Sequence, residues 1–162
     1  MSDQFPLDLY SIHGPAHWCR VERNALLLAS RTNADATVVR LFAVFHDSRR
    51  ENEGTDPQHG TRGAQLAEQL RGQYYGLDDE AFEKLIHACT WHTHEQQNDD
   101  LTIGTCYDAD RLDLGRVGII PEPEFMSTEF GREIAGVGTI QPFLRVWDDQ
   151  QRAATVKPHD TQ

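Results

Sequence analysis

The sequence predicts an all-α fold, a helical bundle that forms one domain around a single core. Apolar residues recur at helical spacing along most of the chain, hairpin signals are absent, and no repeat or Pro/Gly/Ser-rich linker divides it. The length of 162 residues also suits one compact domain. We place this domain at residues 1–148, with its core at about 13–118 and a polar C-terminal tail at 149–162.

The first two predicted helices lie at about 14–30 and 35–47. Pro15 suits the first turn of the first helix. The second is apolar almost all round, so it should be central and buried. Its β-branched residues would also allow a strand, but its length and the lack of hairpin signals favour a helix. The apolar residues of the second helix are Ala36, Val38, Val39, Leu41, Phe42, Ala43, Val44 and Phe45.

Later helices follow from the same periodicity. A polar loop at 51–58, which contains Pro57, separates them from the first two helices. Asp78 or Asp79 can cap the helix that runs towards Cys89. The tail is polar and is expected to fray. The other helices after the loop are predicted at about 59–74, at about 101–115 and near 127–135.

The composition disfavours several classes of protein. A formal net charge of −11 argues against a nucleic-acid polymer as partner, although a bound cation would still allow a small phosphorylated substrate. Cys19, Cys89 and Cys106 are odd in number and form no CxxC pair, so we expect buried thiols rather than disulfides or a zinc knuckle. With no membrane-length apolar run and no secretory signal pattern, we expect no membrane partner and a cytoplasmic location.

The stretch FAVFHDSRR, residues 42–50, ends the apolar second helix on His46 and Asp47. A histidine suits the dipole at a helix C-terminus, whereas an aspartate has the wrong charge there. Arg49 and Arg50 follow directly and can neutralise that charge. Taken alone, the pair therefore indicates an ordinary helix end.

Two other polar side chains interrupt apolar stripes. His17 lies one turn before Val21 on the core-facing side of its helix, where a hydrogen-bonded core histidine is the simpler interpretation. Asp110 lines up with Cys106 and needs a partner, because an unpaired buried charge is very costly. Arg111 points away from this stripe, so a metal ion would satisfy Asp110 better.

Two further histidines continue the pattern. His92 stands three residues after Cys89, on the same buried face, and His59 opens the third helix beside glycines that allow close packing. Each helix of a bundle can direct one ligand to a shared point in the core. The order His, His-Asp, Asp on separate helices therefore indicates a site for a hard or borderline divalent ion.

With these motifs in this order, the chain resembles the HD-domain superfamily of metal-dependent phosphohydrolases. The HD dipeptide alone is common, whereas the ordered set is specific. It spans residues 13–118, about two-thirds of the chain. The matching segments are HWCRV with His17, FAVFHDSRR with His46 and Asp47, HGTRGA with His59, ACTWHTH with His92, and DADRLDLGR with Asp110.

The resemblance implies an all-α fold of the HD type and a set of metal ligands. The implied ligands of one divalent ion (Mn, Fe, Ni, Co, Mg or Zn) are His17, His46, Asp47 and Asp110. Asp108 is then a candidate for orienting a ligating histidine. His59 and His92 correspond to histidines that hold a second metal in some members, and contact phosphate or act as acid in others. The chain lacks the GYP signature of cyclic-dinucleotide hydrolases.

The function expected from this resemblance is hydrolysis of a phosphate ester in a nucleotide or another small metabolite. Asp47 or Asp110 would accept a proton from water, and His59 or His92 would protonate the leaving oxygen. Phosphate would be bound by arginine, although solvation at the surface explains these residues equally well. The candidate arginines are Arg49, Arg50 and Arg111.

Two alternative functions stay open, as does the oligomeric state. A di-iron oxygenase of the HD fold, similar to myo-inositol oxygenase, uses the same order of ligands, but the short interval between Asp47 and His59 can place His59 outside a second-metal position. The other alternative is a sensor that binds metal or nucleotide at this site without catalysis.

Overall fold

The computed structural model describes residues 5–155 and confirms the prediction of an all-α domain. Within that range the chain contains no β-strand, and no helix in it is long and apolar enough to cross a membrane. The α-helices are α1 (Pro15–Thr32), α2 (Ala36–Phe45), α3 (His59–Leu70), α4 (Asp79–Trp91), α5 (Leu101–Arg111), α6 (Glu129–Val137) and α7 (Gln141–Thr155). Two short 3₁₀ helices lie at Leu114–Val117 and Pro123–Phe125.

The structure differs from the prediction at two helix ends and at the C-terminus. Helix α3 ends early because Arg71 leaves the helical conformation and Gly72 adopts a φ of +80°. Helix α5 stops at Arg111 and gives way to a 3₁₀ helix. Helix α7 crosses the predicted start of the tail, so residues 149–155 continue a helix instead of fraying. Residues 156–162 of that predicted tail lie outside the described residues.

Helix α2 lies at the centre of the bundle and contacts α1, α3, α4 and α5. Val38, Val39 and Phe42 have no exposed surface, and burial of each such side chain stabilises the fold by about 1.5–3 kcal/mol. Asp35 caps the helix by accepting hydrogen bonds from the backbone N–H groups of residues 37 and 38. The helix is thus a rigid carrier for the two polar residues that follow it, His46 and Asp47.

Two glycines let α3 approach its neighbours closely. A Cβ atom at Gly60 would lie 2.2 Å from the carbonyl oxygen of Cys89, and one at Gly63 would lie 2.3 Å from that of Phe45. Both distances are far shorter than van der Waals contact, so side chains here would push α3 away from α4 and from the end of α2. The start of α3, which carries His59, is therefore held against the ends of both helices.

Candidate metal centre

Six polar side chains from five helices or helix ends converge in the core of the bundle. Five of them fall into two groups of three, and within each group the candidate ligand atoms lie within 4.8 Å of one another. The first group is His17, His46 and Asp47, and the second is Asp47, His59 and His92. Asp47 belongs to both groups.

The first group joins α1 to the end of α2. The Nε2 atoms of His17 and His46 lie 3.1 Å apart. Asp47 Oδ2 lies 3.5 Å from the first of these atoms and 3.8 Å from the second. Asp110 reaches the same place from α5, with Oδ1 at 3.3 Å and 3.8 Å from the two nitrogens. The structure therefore brings together all four ligands that the resemblance implies.

The second group joins the start of α3 to the end of α4. The Nε2 atoms of His59 and His92 lie 3.0 Å apart. The other carboxylate oxygen of Asp47, Oδ1, lies 3.3 Å from His59 Nε2 and 4.0 Å from His92 Nε2. The short interval between Asp47 and His59 therefore does not keep His59 out of the cluster. The two oxygens of Asp47 face different pairs of histidines.

Three of the four imidazoles are oriented by backbone carbonyl groups. His46 Nδ1 lies 3.0 Å from the oxygen of Phe42, His92 Nδ1 lies 2.8 Å from that of Cys89, and His59 Nδ1 contacts the oxygen of residue 56. A carbonyl oxygen can only accept, so Nδ1 carries the proton in each ring. In the neutral ring, Nε2 then presents a lone pair to the cluster.

The orientation of the rings leaves lone pairs facing each other. His59 and His92 both direct Nε2 lone pairs at the same point, 3.0 Å apart, with no proton of their own to share. A cation between these atoms would turn this repulsion into attraction. The donor atoms therefore fit a bound metal ion better than they fit one another.

The two carboxylates stay ionised in the buried cluster. Burial alone would raise the pKa of Asp47, but the nearby imidazole of His46 and a hydrogen bond from His13 hold it well below its usual range. For Asp110, burial likewise acts upward, and the hydrogen bond with His17 and the nearby imidazole of His46 lower its pKa below the usual range. Two ionised carboxylates in a buried cluster favour the binding of a divalent cation.

The histidines of the cluster differ in protonation. Burial lowers the pKa of His46 and of His59, and burial together with neighbouring His46 lowers the pKa of His92 to about 4. For His17, burial acts downward, but hydrogen bonds to Asp110 and Asp113 raise its pKa overall. Neutral imidazoles are the form that ligates metal ions.

Asp113, and not Asp108, orients a histidine that is a candidate metal ligand. Asp113 Oδ2 accepts a hydrogen bond from His17 Nδ1 at 2.7 Å. The expectation for Asp108 is corrected, because its carboxylate accepts hydrogen bonds from the backbone N–H groups of Ser127 at 2.7 Å and Thr128 at 2.8 Å. Asp108 therefore anchors the start of α6. Asp113 is the third aspartate of the DADRLD motif, and the sequence analysis assigned it no role in orienting His17.

His13 is a second residue that the sequence did not single out. Its Nδ1 lies 2.8 Å from Asp47 Oδ2, and its side chain is only 12% exposed. It stands four residues before His17 in HGPAHW, in the turn that precedes α1. Its contact with Asp47 depends on the path of this turn, so no spacing in the sequence could have revealed it.

Of the three arginines predicted to bind phosphate, Arg50 lies at the cluster. Its Nη1 is 3.4 Å from Asp47 Oδ1 and 3.4 Å from His59 Nε2, and Nη2 donates to the carbonyl oxygen of Gly54 at 2.7 Å. Buried beside the second group, it adds a positive charge at the edge of the cluster.

The surroundings of the other two arginines differ from those of Arg50. Arg49 lines a separate cavity of about 210 Å³, together with Arg62, and no residue of the cluster contributes to that lining. Arg111 donates from Nη2 to the carbonyl oxygen of Glu95 at 2.6 Å and from Nη1 to that of Phe125 at 2.7 Å. Arg111 thus ties backbone segments together, and a role in phosphate binding stays a prediction.

The arrangement as a whole can hold one or two divalent cations with nitrogen and oxygen ligands. Its most accessible ligand is Asp110, whose side chain is 20% exposed, whereas those of His17 and His46 are fully buried. Comparisons of the chain with models of protein families, with curated proteins and with solved structures find no match.

Proposed function

We propose that this protein is a metal-dependent phosphohydrolase of the HD type, which uses two divalent ions to hydrolyse a phosphate ester of a nucleotide or another small metabolite. The observation that carries the proposal is the position of Asp47. Its two carboxylate oxygens face different pairs of histidines at 3.3–4.0 Å. A carboxylate shared in this way suits a two-metal site of the kind that many phosphatases use.

The ligands favour a hard or borderline ion such as manganese, iron, cobalt, nickel, magnesium or zinc. Imidazoles and carboxylates supply every candidate donor atom, while burial raises the pKa of the thiol of Cys89 to well above neutral pH, so that it stays protonated. Bound ions of this kind act as Lewis acids that neutralise charge on a phosphoryl group and make water a better nucleophile.

His59 and His92 are assigned here as ligands of the second ion. Their Nε2 atoms face Asp47 Oδ1, and their Nδ1 atoms are held by backbone carbonyl groups. Neither nitrogen is then available to protonate a leaving group. We therefore prefer the ligand role to the acid role for both residues.

Arg50 is the residue assigned to bind substrate phosphate. Its Nη1 lies 3.4 Å from both Asp47 Oδ1 and His59 Nε2, and these distances are long for hydrogen bonds. A phosphate oxygen beside the second group would offer the guanidinium a stronger, charge-assisted partner. Asp110, the most exposed ligand, is the residue best placed to accept a proton from an incoming water molecule.

The test combines metal analysis with a substrate screen. We expect the purified protein to hold close to two metal ions per chain and to release phosphate from phosphomonoesters or nucleotides. Asp47→Ala should lose both ions and turnover. Retention of full phosphatase activity in this variant would show that the proposed centre is not the site of hydrolysis.

A matched pair of histidine variants tests the second group. His92→Gln should reduce the metal content from about two ions to about one. His87→Gln changes a histidine of the same helix that pairs with Glu95 at 2.9 Å, outside the cluster, and should leave the metal content unchanged. Equal metal content in all three proteins would remove His92 from the set of ligands.

A di-iron oxygenase is the second candidate, because the shared Asp47 and the four surrounding histidines also suit two iron ions. It predicts two irons per chain and oxygen consumption with an organophosphonate or a polyol, without release of phosphate from esters. Tight nucleotide binding with no turnover under any metal would instead favour the non-catalytic sensor.

A further inference from the structure

A second cavity lies behind the cluster, on the Nδ1 side of His17. It has a volume of about 390 Å³ and is enclosed by α1, the 3₁₀ helix Leu114–Val117 and the turn between α6 and α7. No residue of the cluster lines it, but Asp113, which holds His17, does. A cavity of this size fits a small metabolite.

Three arginines surround this cavity in a protein that is otherwise strongly acidic. They are Arg20, Arg23 and Arg116, and Asp113 is the one acidic residue of the lining. The lining therefore carries an excess of two positive charges, while the whole chain carries a formal net charge of −11. A concentration of guanidinium groups against this background favours an anion, which guanidinium binds in bidentate geometry.

The ion pairs of these arginines leave them open to a stronger partner. Arg20 Nε donates to Asp113 Oδ1 at 2.8 Å, and Arg116 Nη1 lies 3.6 Å from Asp113 Oδ2, so one carboxylate pairs with both arginines. Arg23 pairs with Asp148 on α7, and both of these side chains are partly exposed. Exposed pairs of this kind contribute about 0–1 kcal/mol. An anion in the cavity can therefore compete with Asp148 for Arg23, and it can reach Arg20, whose side chain is 46% exposed. Arg116 stays close to the buried Asp113 carboxylate.

The remaining wall of the cavity is largely apolar. The neighbouring residues Ile119 and Ile120 are 52% and 69% exposed. Two adjacent aliphatic side chains with this much exposed surface form an apolar patch at the cavity. The apolar residues of the lining are Leu112, Ile119, Ile120, Pro121, Ile140 and Leu144. A ligand that fits both parts of the lining joins an anionic group to an apolar group.

Asp113 connects this cavity to the metal centre. Its Oδ1 accepts from Arg20, and its Oδ2 accepts from His17 Nδ1, whose ring directs Nε2 at the cluster. An anion that draws Arg20 away would leave the Asp113 carboxylate a stronger acceptor for His17. A stronger hydrogen bond at Nδ1 makes the imidazole a better metal ligand.

We propose that this cavity binds a small organic phosphate with an apolar group, at a site separate from the catalytic one, and that binding there strengthens metal binding at His17 through Asp113. The binding of the anion is independent of the proposed hydrolase activity. The coupling rests on a metal ion held by His17, as the proposed function requires.

Calorimetry on the full chain, freed of metal by a chelator, tests the binding site. The probe is phenylphosphonate, which carries an aromatic ring and is not a phosphate ester. We expect saturable binding of one molecule per chain, weakened about tenfold or more in the double variant Arg20→Gln/Arg23→Gln. Arg40→Gln, which changes an exposed arginine on α2 paired with Glu22 at 3.5 Å, is the control and should bind like the unmodified protein.

The binding experiment has two outcomes that overturn the site. One is the absence of saturable binding to the unmodified chain. The other is equal affinity in the double variant, which would place the anion elsewhere, for example beside Arg50. Thermal unfolding of each variant establishes that it is folded before the comparison is made.

The affinity for Mn²⁺, measured with and without phenylphosphonate, tests the coupling. We expect Mn²⁺ to bind about fivefold more tightly with the probe present, and this gain to disappear in Arg23→Gln. A gain that persists in Arg23→Gln would assign the phosphonate to the metal ion itself and would overturn the coupling. So would an unchanged Mn²⁺ affinity in a protein that binds the probe. Failure of the hydrolase proposal would instead show as absent turnover, with both of these binding results intact.

Discussion

A methyl group at Gly60 would test whether the close approach of α3 positions the second group of ligands. The new Cβ would lie 2.2 Å from the oxygen of Cys89, and ordinary contact begins near 3.4 Å, so α3 must move by up to 1.2 Å. His59 directly precedes Gly60, and metal–ligand distances tolerate only about 0.2 Å. We therefore expect Gly60→Ala to lose the ion at His59 and His92 and to keep the ion at His17.

The same substitution should destabilise the metal-free protein. Overpacking of a core costs about 1–3 kcal/mol, and the better helix propensity of alanine offsets at most about 1 kcal/mol. With the full offset, a net loss of up to about 2 kcal/mol remains, which corresponds to a fall of up to roughly 8 °C in Tm for a domain of this size.

Metal content and thermal unfolding provide the readouts for Gly60→Ala. The control is Gly115→Ala, because a Cβ at Gly115 would have no neighbour within 4 Å, and both readouts should stay unchanged. If Gly60→Ala keeps both the metal content and the Tm of the unmodified protein, the close contact between α3 and α4 does not position the second group.

Three further predictions concern single side chains. Asp113→Ala removes the acceptor of His17 Nδ1 and should weaken metal binding about 10–100-fold by equilibrium dialysis, whereas unchanged affinity would contradict its role. Asp108→Ala leaves the N–H of Thr128 without this acceptor, and should cost about 1–3 kcal/mol in urea unfolding while the metal content stays constant. Burial lowers the pKa of His92 to about 4, below the ordinary value of 6.5. Between these two pH values the unfolded chain binds more protons than the folded chain. The stability that His92 contributes at neutral pH is therefore lost as the pH falls from about 6.5 towards 4. Urea unfolding of the metal-free protein at pH 7 and pH 5 should therefore show a smaller pH effect in His92→Gln, and an equal effect would refute the assignment.

The helices and the ligand cluster were predictable because burial imposes periodicity. Apolar residues three and four apart locate α1 to α5, and a polar residue on such a stripe must meet a partner in the core. Asp110 and His92 were found by this reasoning. The structure places both beside the other expected ligands.

The partners of the ligands were not predictable, because they depend on how the chain turns after each helix. The prediction extended α5 to residue 115, whereas the helix ends at Arg111 and a 3₁₀ helix follows. That change of direction brings Asp113 to His17, which is 96 residues away in sequence. Asp108, which shares its motif, faces the start of α6 instead.

The sequence analysis did not predict helix α7 because the C-terminal segment is polar. Residues 149–155 are polar, so the apolar residues that precede them were not recognised as part of the same helix. Leu144 is buried, and Phe143 and Trp147 pack against the core. Packing of these few side chains holds a helix whose last two turns would not be stable alone.

With the proposed ions bound, the place of Asp47 between two pairs of histidines would link the supply of metal to the stability of the protein. One pair joins residues 29 positions apart and the other joins residues 33 positions apart, and the same carboxylate belongs to both. Ions bound only by the folded chain add their binding free energy to its stability. Under metal starvation a larger fraction of molecules would unfold and reach cellular proteases. The abundance of this protein would then follow the availability of its metal.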